Sequence, residues 1–264
     1  KNLKRMITFI IRMIKKIIIS MFILFLLFII GCNSGIPTQK LIYEQITLEV
    51  KGEIENETML FDLIENRLNN LGLYDISIKK LTDETKSYYK VRYGYTEYNS
   101  KIQELFTGQG KFEAKIGNKT VFTNNRDIVY VCKTSECSGI RDCQKSYDTG
   151  EYFCNYQFQI KLSEDAAQRF AEISDELEIT DNYLSEDICF YLDDRQLECL
   201  KIDDGLKGIP QQNIQITGSS SGSSEEEAFQ NADKEISHLQ TILITGSINY
   251  DMEIVSTEVY YPLK

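Results

Sequence analysis

Residues 56–72 read NETMLFDLIENRLNNLG. Asn56 is typical of a residue that caps the start of a helix, and Gly72 is typical of one that ends it. Between them, apolar side chains recur at helical spacing on one face: Leu60, Ile64, Leu68 and Leu71. The stretch therefore predicts an amphipathic helix that buries one face against a neighbouring layer.

The segments around this helix alternate between polar and apolar residues, as strands do. A strand is predicted at about 42–51, and a hairpin follows the helix, with four side chains on one face of its second arm: Tyr89, Val91, Tyr93 and Tyr95. A capping box at Ser100 opens a second helix that ends at Gly108, and a strand at 111–116 follows. This β-α-β-β-α-β order predicts an α+β fold of the ferredoxin-like, split βαβ type.

Further along, a second strand-and-helix pattern appears after a cysteine-bearing segment that we interpret as a loop. A strand at about 156–162 leads into a helix capped by Ser163, whose apolar stripe is Ala166, Ala167, Phe170, Ile173 and Leu177. Two strands, at about 187–192 and 196–202, flank a turn at Asp193 and Asp194.

The last part of the chain contains the longest predicted helix. Residues 214–216 read as a strand, and the Gly/Ser-rich residues 217–224 read as a flexible linker. A helix at about 225–244 ends at Gly246, and a strand at 250–260 follows.

The N-terminal segment is typical of an export signal or a membrane anchor. Residues 17–30 are apolar except for Ser20, which is short for a membrane span, and six Lys and Arg residues precede them. The run ends in a lipobox-like sequence that predicts lipidation of Cys32, with an uncleaved anchor as the alternative. Residues 1–32 then form the signal or anchor and 33–40 a tether, which places the bulk of the chain outside the cell membrane.

Charge and cysteines fit an exported protein. The formal net charge is −11 although the N-terminal segment is basic, which argues against a nucleic acid partner. An even number of cysteines remains beyond Cys32, and we expect disulfides among them: Cys132, Cys137, Cys143, Cys154, Cys189 and Cys199. The spacing of the first four does not fit a zinc site, and their pairing stays open. Cys189 and Cys199 flank a predicted turn, so either a cross-strand bridge or two packed thiols is expected.

Several stretches resemble SecD, an accessory subunit of the protein-export machinery, in its archaeal type. These stretches are QGKFEAKIGNKTVFT from Gln109, LSEDAAQRFAEIS from Leu162, YLDD from Tyr191, LKIDDGLKG from Leu200, IQITGS from Ile214 and LQTILITGSINYDMEIV from Leu239. The motif residues that we single out are Gly110, Phe112, Glu113, Ala114, Ala166, Ala167, Phe170, Leu192, Asp193, Gly218 and Gly246. The resemblance covers most of the chain beyond the N-terminal segment.

The resemblance implies an architecture and a role. A ferredoxin-like base would comprise residues 41–110 and 225–264, with a head at 111–216 inserted between them, and it leaves open which strand completes the base. The domain would bind unfolded secretory polypeptide outside the membrane, beside SecF and the SecYEG channel, without catalysis and without a cofactor. The alternative is a stand-alone lipoprotein that acts as a scaffold or chaperone for envelope proteins.

Residue chemistry agrees with a binding role. The only histidine, His238, is expected on a helix surface, and neither a catalytic nor a metal-binding set of residues stands out. The tyrosine-bearing strand is expected to face the core, with binding of an extended peptide as the alternative. The places where the chain would cross between base and head give the hinge candidates Thr107, Gly108, Gly110, Gly218 and Gly222.

Overall fold

The computed structural model describes residues 42–52, 54–82, 86–95 and 99–261. The predicted signal or anchor, Cys32 and the tether at 33–40 lie outside these residues. The described helices are α1 (Glu57–Asn70), α2 (Asn99–Thr107), α3 (Glu164–Asp175) and α4 (Glu225–Thr245), with a short 3-10 turn at Asp204–Leu206. The described strands are β1 (Tyr43–Lys51), β2 (Ser77–Thr82), β3 (Ser87–Gly94), β4 (Phe112–Ile116), β5 (Lys119–Thr123), β6 (Ile128–Val131), β7 (Ser138–Lys145), β8 (Tyr152–Leu162), β9 (Ile179–Thr180), β10 (Tyr183–Leu184), β11 (Ile188–Leu192), β12 (Arg195–Leu200), β13 (Asn213–Gly222) and β14 (Asp251–Tyr260).

The first sheet, here called the base sheet, has the antiparallel order β14-β1-β3-β2. Its completing strand is therefore β14, whereas β4 lies in a different sheet. The apolar faces of α1 and α2 pack with the inner face of this sheet in one core, whose largest members are Tyr89, Tyr93, Phe106, Ile46 and Leu48. The tyrosine face of β3 is thus core as predicted, except for Tyr95, and β3 is paired on both sides.

Two further four-stranded sheets form the part that the sequence analysis called the head. The first head sheet has the order β12-β11-β4-β5, and the second has the order β13-β8-β6, with β7 also paired to β8. Their facing sides share one apolar core with α3 and α4. The cysteine-bearing segment, predicted as a loop, therefore contains a paired strand, β7.

Residues 217–222 continue strand β13 and are not a flexible linker. Each residue of β13 from Asn213 to Gly222 is opposite a residue of β8, from Lys161 to Tyr152. The composition of this stretch suggested a linker, but its backbone groups are used in sheet pairing. The prediction of a flexible linker at 217–224 was therefore wrong for residues 217–222, which are paired with β8.

Helix α4 lies between the head and the helices of the base. It packs on β13, β8 and β7 of the second head sheet, and it also contacts α1 and α2. Towards its C-terminal end it is buried on every side: His238, Leu239, Gln240, Thr241, Ile242 and Leu243 are all buried. The prediction of a surface position for His238 was therefore wrong, because the helix has neighbours on both sides there.

Candidate functional site

The buried guanidinium of Arg67 lies where the chain passes between base and head. It projects from α1 and donates to the carbonyl oxygens of Leu105, Gln109 (3.2 Å from Nη2) and Gly246 (2.8 Å from Nη2). Burial lowers the pKa of Arg67 to about 10, and Asp193 opposes that shift, so the side chain is charged at neutral pH. One cation thus holds both chain crossings, at residues 105–109 and at Gly246, against α1. These contacts define what we call the junction.

Asp193 completes the junction from the head side. Its carboxylate accepts from the backbone N–H of Gly110 (3.1 Å) and of Lys111 (2.8 Å), and it stands in the β11–β12 turn with a φ of +50°. A Cβ at Gly110 would lie 2.6 Å from Arg67 Nη2, and one at Gly108 would lie 2.8 Å from Asp193 Oδ2. Both glycines are needed for close approach, so these hinge candidates lie in a tightly packed part of the chain.

An ionic cluster borders the junction between α2 and α4. Lys101 Nζ lies 2.6 Å from Glu235 and 2.9 Å from Glu104, and Glu104 lies 3.8 Å from His238 Nε2. Burial and the cation of Lys101 lower the pKa of His238, whose Nδ1 has no hydrogen-bond partner among the described residues. The imidazole of His238 is therefore uncharged at neutral pH, and it is buried beside this cluster.

Other residues that carry the resemblance build the core beside the junction. Phe112 packs on Phe122 and Phe190, with ring centroids 6.3 and 6.0 Å away. Five more members of the set are buried: Ala114, Ala166, Ala167, Phe170 and Leu192. Glu113 is partly buried on the same sheet, 3.2 Å from Lys111 and 2.9 Å from Lys115. These residues therefore support packing, and none of them contributes to a reactive cluster.

The two hinge candidates on β13 are distant from the junction along the head. A Cβ at Gly218 would lie 2.3 Å from the hydroxyl of Tyr156, and one at Gly222 would lie 2.4 Å from the backbone nitrogen of Ala228. The ring of Tyr156 and the first turn of α4 thus occupy the space that a side chain would need. Close packing explains both glycines without a hinge.

The disulfides that the cysteine count predicted are present. They join Cys132 to Cys137, Cys143 to Cys154, and Cys189 to Cys199. The third is the cross-strand bridge, because Cys189 and Cys199 stand opposite each other on β11 and β12. The second likewise joins directly opposite residues of β7 and β8. All three are short-range and lie in the head.

A cleft of about 770 Å³ separates strand β12 of the first head sheet from strand β13 of the second. Each is an edge strand, and no described strand pairs with its outer side. The strands approach where Thr217 Oγ1 donates to Glu198, at 3.0 Å. Buried apolar residues line the cleft, and so do polar and charged ones of both signs: Phe190, Ile216, Leu239, Tyr156, Arg141, Arg195, Asp142, Glu198, Glu235, Asn155, Gln157 and Gln196.

The polar and charged side chains along the cleft can contact a ligand of mixed character. Within the part of the chain that the structure describes, no group of three or more His, Cys, Asp or Glu residues could hold a metal ion. None of the described helices is both long enough and apolar enough to cross a membrane.

Sequence reasoning missed two residues at the junction. Asn124 is buried and donates to the carbonyl oxygens of Gly110 (2.7 Å) and Ile242 (3.3 Å), while it accepts from the N–H of Phe112 (3.3 Å). Arg67 interrupts the apolar face of α1, where it is buried with Ile64 and Leu68, and has no acidic partner at helical spacing. A lone arginine beside an apolar stripe was the available signal, but its partners are 38 to 179 residues away in sequence.

Comparison with known proteins shows which protein this chain resembles. No protein-family model matches the chain. The chain is 26% identical over 233 residues to the protein-export membrane protein SecD of Methanothermobacter thermautotrophicus, which covers 88% of this chain and 50% of that protein. This chain is SecD-like. It therefore spans about half the length of the curated relative that it matches.

The likeness of this SecD-like chain extends to the fold. A crystal structure of SecDF in its super-membrane-facing form matches with a TM-score of 0.51, at 16% sequence identity, over 93% of this chain and 35% of that one. The resemblance that the sequence motifs indicated is confirmed, as is a mixed α and β architecture with several antiparallel sheets.

Proposed function

We propose that this chain assists protein export as a non-catalytic, membrane-tethered module that binds unfolded polypeptide outside the cell membrane. The observation that carries the proposal is the cleft between the unpaired edges of β12 and β13. An extended chain can add to such an edge through main-chain hydrogen bonds, which every polypeptide offers. Binding of this kind is tolerant of sequence, as an export factor requires.

The lining of the cleft fits a transient, unspecific ligand. Buried apolar side chains such as Phe190 and Leu239 form the floor of the cleft, and Arg195 and Glu198 offer charges of both signs at its edges. A mixed lining favours no single side chain, so affinity is expected to be modest and dissociation fast. No reaction and no cofactor are needed for this role.

The partners follow from the relationship to SecD. We propose a SecF-like subunit and a SecYEG-type channel as neighbours, with residues 1–32, including Cys32, as the membrane attachment. We further propose that the base is ferredoxin-like, because its strand order β14-β1-β3-β2 with two helices on one face is the order of a split βαβ fold. Movement of the head on the base would pass through Thr107, Gly108 and Gly110.

The test is photo-crosslinking in membranes during export of a stalled secretory protein. A photoreactive amino acid replaces Gln196 on β12 or Ser219 on β13, which are both exposed at the cleft. Both positions are expected to crosslink to the stalled chain, and an excess of unfolded competitor is expected to reduce the yield.

Matched controls carry the same amino acid at Lys79 on the base sheet and at Asp165 on α3, which are exposed and outside the cleft. Crosslinking at the control sites with the same yield as at the cleft would contradict the cleft as the binding site. Labelling of folded envelope proteins alone would contradict the export role.

A further inference from the structure

Five of the sixteen tyrosines of the chain lie at one end of the base sheet. They are Tyr43, Tyr74, Tyr95, Tyr260 and Tyr261, and we call this group the tyrosine end. Sequence analysis did not reveal it, because the five residues come from four separate segments of the chain.

The register of the base sheet brings these segments together. Tyr43 at the start of β1 stands opposite Tyr260 at the end of β14 and opposite Gly94 at the end of β3. Tyr95 follows Gly94, and its N–H donates to the carbonyl of Ile42 at 2.7 Å. A Cβ at Gly94 would lie 4.0 Å from the ring of Tyr74, which places the loop before β2 at the same end.

All of these tyrosines except Tyr43, which is half-buried, are exposed. Tyr74 is 60% exposed, Tyr95 51% and Tyr261 71%, whereas Tyr89 and Tyr93 on the same sheet are fully buried. A tyrosine combines an apolar ring with a hydroxyl that requires a polar partner. That combination suits the boundary between a bilayer and water, where tyrosine is enriched.

The chain joins this end of the base sheet to the predicted membrane segment. The described chain starts at Ile42, beside Tyr95 and Tyr43, so the preceding apolar run at residues 17–30 connects to the base at this end. Twelve residue steps separate residue 30 from residue 42, which span at most about 40 Å when fully extended at about 3.3–3.6 Å each. No other end of the sheet is attached so directly to that run.

Local charge indicates which lipid headgroup is suitable. The Tyr43 hydroxyl donates to Asp75, and the Tyr260 hydroxyl donates to Glu258. The cation of Arg92 lies over the ring of Tyr43, 4.9 Å from its centre. The carboxylates next to the rings would be repelled by an anionic membrane surface. A zwitterionic headgroup contains a cationic group that can pair with these carboxylates.

We propose that the tyrosine end rests in the headgroup layer of the membrane and binds zwitterionic lipid through its exposed rings. This inference rests on the membrane attachment in the proposed function, but not on polypeptide binding. The contact would hold the base at a fixed height and orientation on the bilayer, so that the tether alone does not determine the position of the cleft.

The experiment uses tryptophan as a depth reporter, since the chain contains none. The full chain is reconstituted into phosphatidylcholine vesicles as three single-tryptophan variants: Tyr74→Trp, Tyr95→Trp and Tyr261→Trp. Vesicles with and without phosphatidylcholine brominated near the carbonyl end of its acyl chains are compared. We expect a blue-shifted emission that brominated lipid quenches in all three variants.

The matched control is Tyr147→Trp, in the fully exposed loop between β7 and β8. Tyr152, just after that loop, stands opposite Gly222, which closely precedes the start of α4 at Glu225. The loop is therefore near the start of α4. The other end of α4 is at the junction, where Arg67 donates to Gly246. With 21 residues in α4, the loop is about 30 Å from the junction. We expect no quenching at this position.

Three results would contradict contact between the tyrosine end and lipid. Emission that is unchanged by brominated lipid at all three positions, in a chain that floats with the vesicles, would overturn it. Quenching at Tyr147→Trp alone would also overturn it, because the head would then face the lipid. A chain that does not float would remove the attachment on which the inference rests. No secretory polypeptide is present, so the result is independent of the cleft.

Discussion

Arg67 is the residue on which the junction depends most. Replacing it with methionine removes a charge that donates to three main-chain carbonyls and leaves those oxygens buried without donors. We expect Arg67→Met to reduce the free energy of unfolding by about 3–5 kcal/mol, which urea denaturation followed by circular dichroism would measure.

The control for this prediction is Arg92→Met on strand β3. Arg92 is exposed and contacts the ring of Tyr43, so its loss should cost no more than about 1 kcal/mol. Both substitutions remove one positive charge. An equal loss in the free energy of unfolding would therefore mean that the buried hydrogen bonds of Arg67 do not stabilise the fold.

Glu44 gives the protein a pH dependence. It is only 3% exposed on β1, its Oε2 has no hydrogen-bond partner among the described residues, and burial raises its pKa, partly offset by Tyr93. The fold therefore loses stability as pH rises, since the carboxyl group ionises at lower pH in the unfolded state than in its buried site. We expect Glu44→Gln to raise the melting temperature at pH 7 and to have a smaller effect at pH 4.

The substitution Glu55→Gln serves as its control, because Glu55 is exposed before α1. It should leave the melting temperature unchanged at both pH values. An increase in melting temperature for Glu44→Gln that is as large at pH 4 as at pH 7 would exclude ionisation as the cause.

Capping residues were the most predictable feature at the scale of single residues. Asn56 and Ser163 each accept from a backbone N–H in the first turn of their helix, as their identity and spacing indicated. The pattern is local, so one sequence suffices to find it. Burial of Arg67, Glu44 and His238 was not predictable, because the neighbours that enclose them come from distant segments.

At the scale of elements, β13 is the clearest difference between prediction and structure. The stretch from Gly218 to Ser224 has the composition of a linker, but as far as Gly222 its conformation is determined by pairing with β8 and by the ring of Tyr156. Local composition could not reveal this, since the partner strand is about 60 residues away in sequence. By contrast, the helices α1, α3 and α4 were predictable from their periodic apolar stripes.

This view of β13 gives a test at Gly218. A methyl group there would meet the buried side chain of Tyr156, so Gly218→Ala should destabilise the protein by about 1–3 kcal/mol. In a flexible linker the same substitution would be neutral or slightly stabilising. The exposed neighbour Ser219→Ala should change stability by at most about 0.5 kcal/mol, as thermal denaturation would show.

For the whole molecule, the disulfides predict where reduction has its effect. All three lie within the head and none joins the head to the base sheet. Reduction should therefore increase hydrogen–deuterium exchange in β7, β8, β11 and β12 and leave β1 and β3 unchanged. Equal deprotection of the base sheet would show that the head and base unfold as one cooperative unit.

The global arrangement was only partly predictable from sequence. The order of elements indicated the base, but not whether β4 or β14 completes its sheet, because both have the alternation of a strand. The cleft depends on the outer edges of β12 and β13 remaining unpaired, which is a property of two sheets together. No local pattern in either strand encodes it.

The adjacency of the two described chain ends determines how the molecule would respond to mechanical tension. Ile42 and Tyr261 adjoin β1 and β14, which are neighbouring antiparallel strands. A pull between these ends would unzip the two strands one hydrogen-bonded pair after another, because the load falls on the last pair rather than on the whole row. The base sheet would thus yield at low force, and the head would carry no load until β1 and β14 had separated.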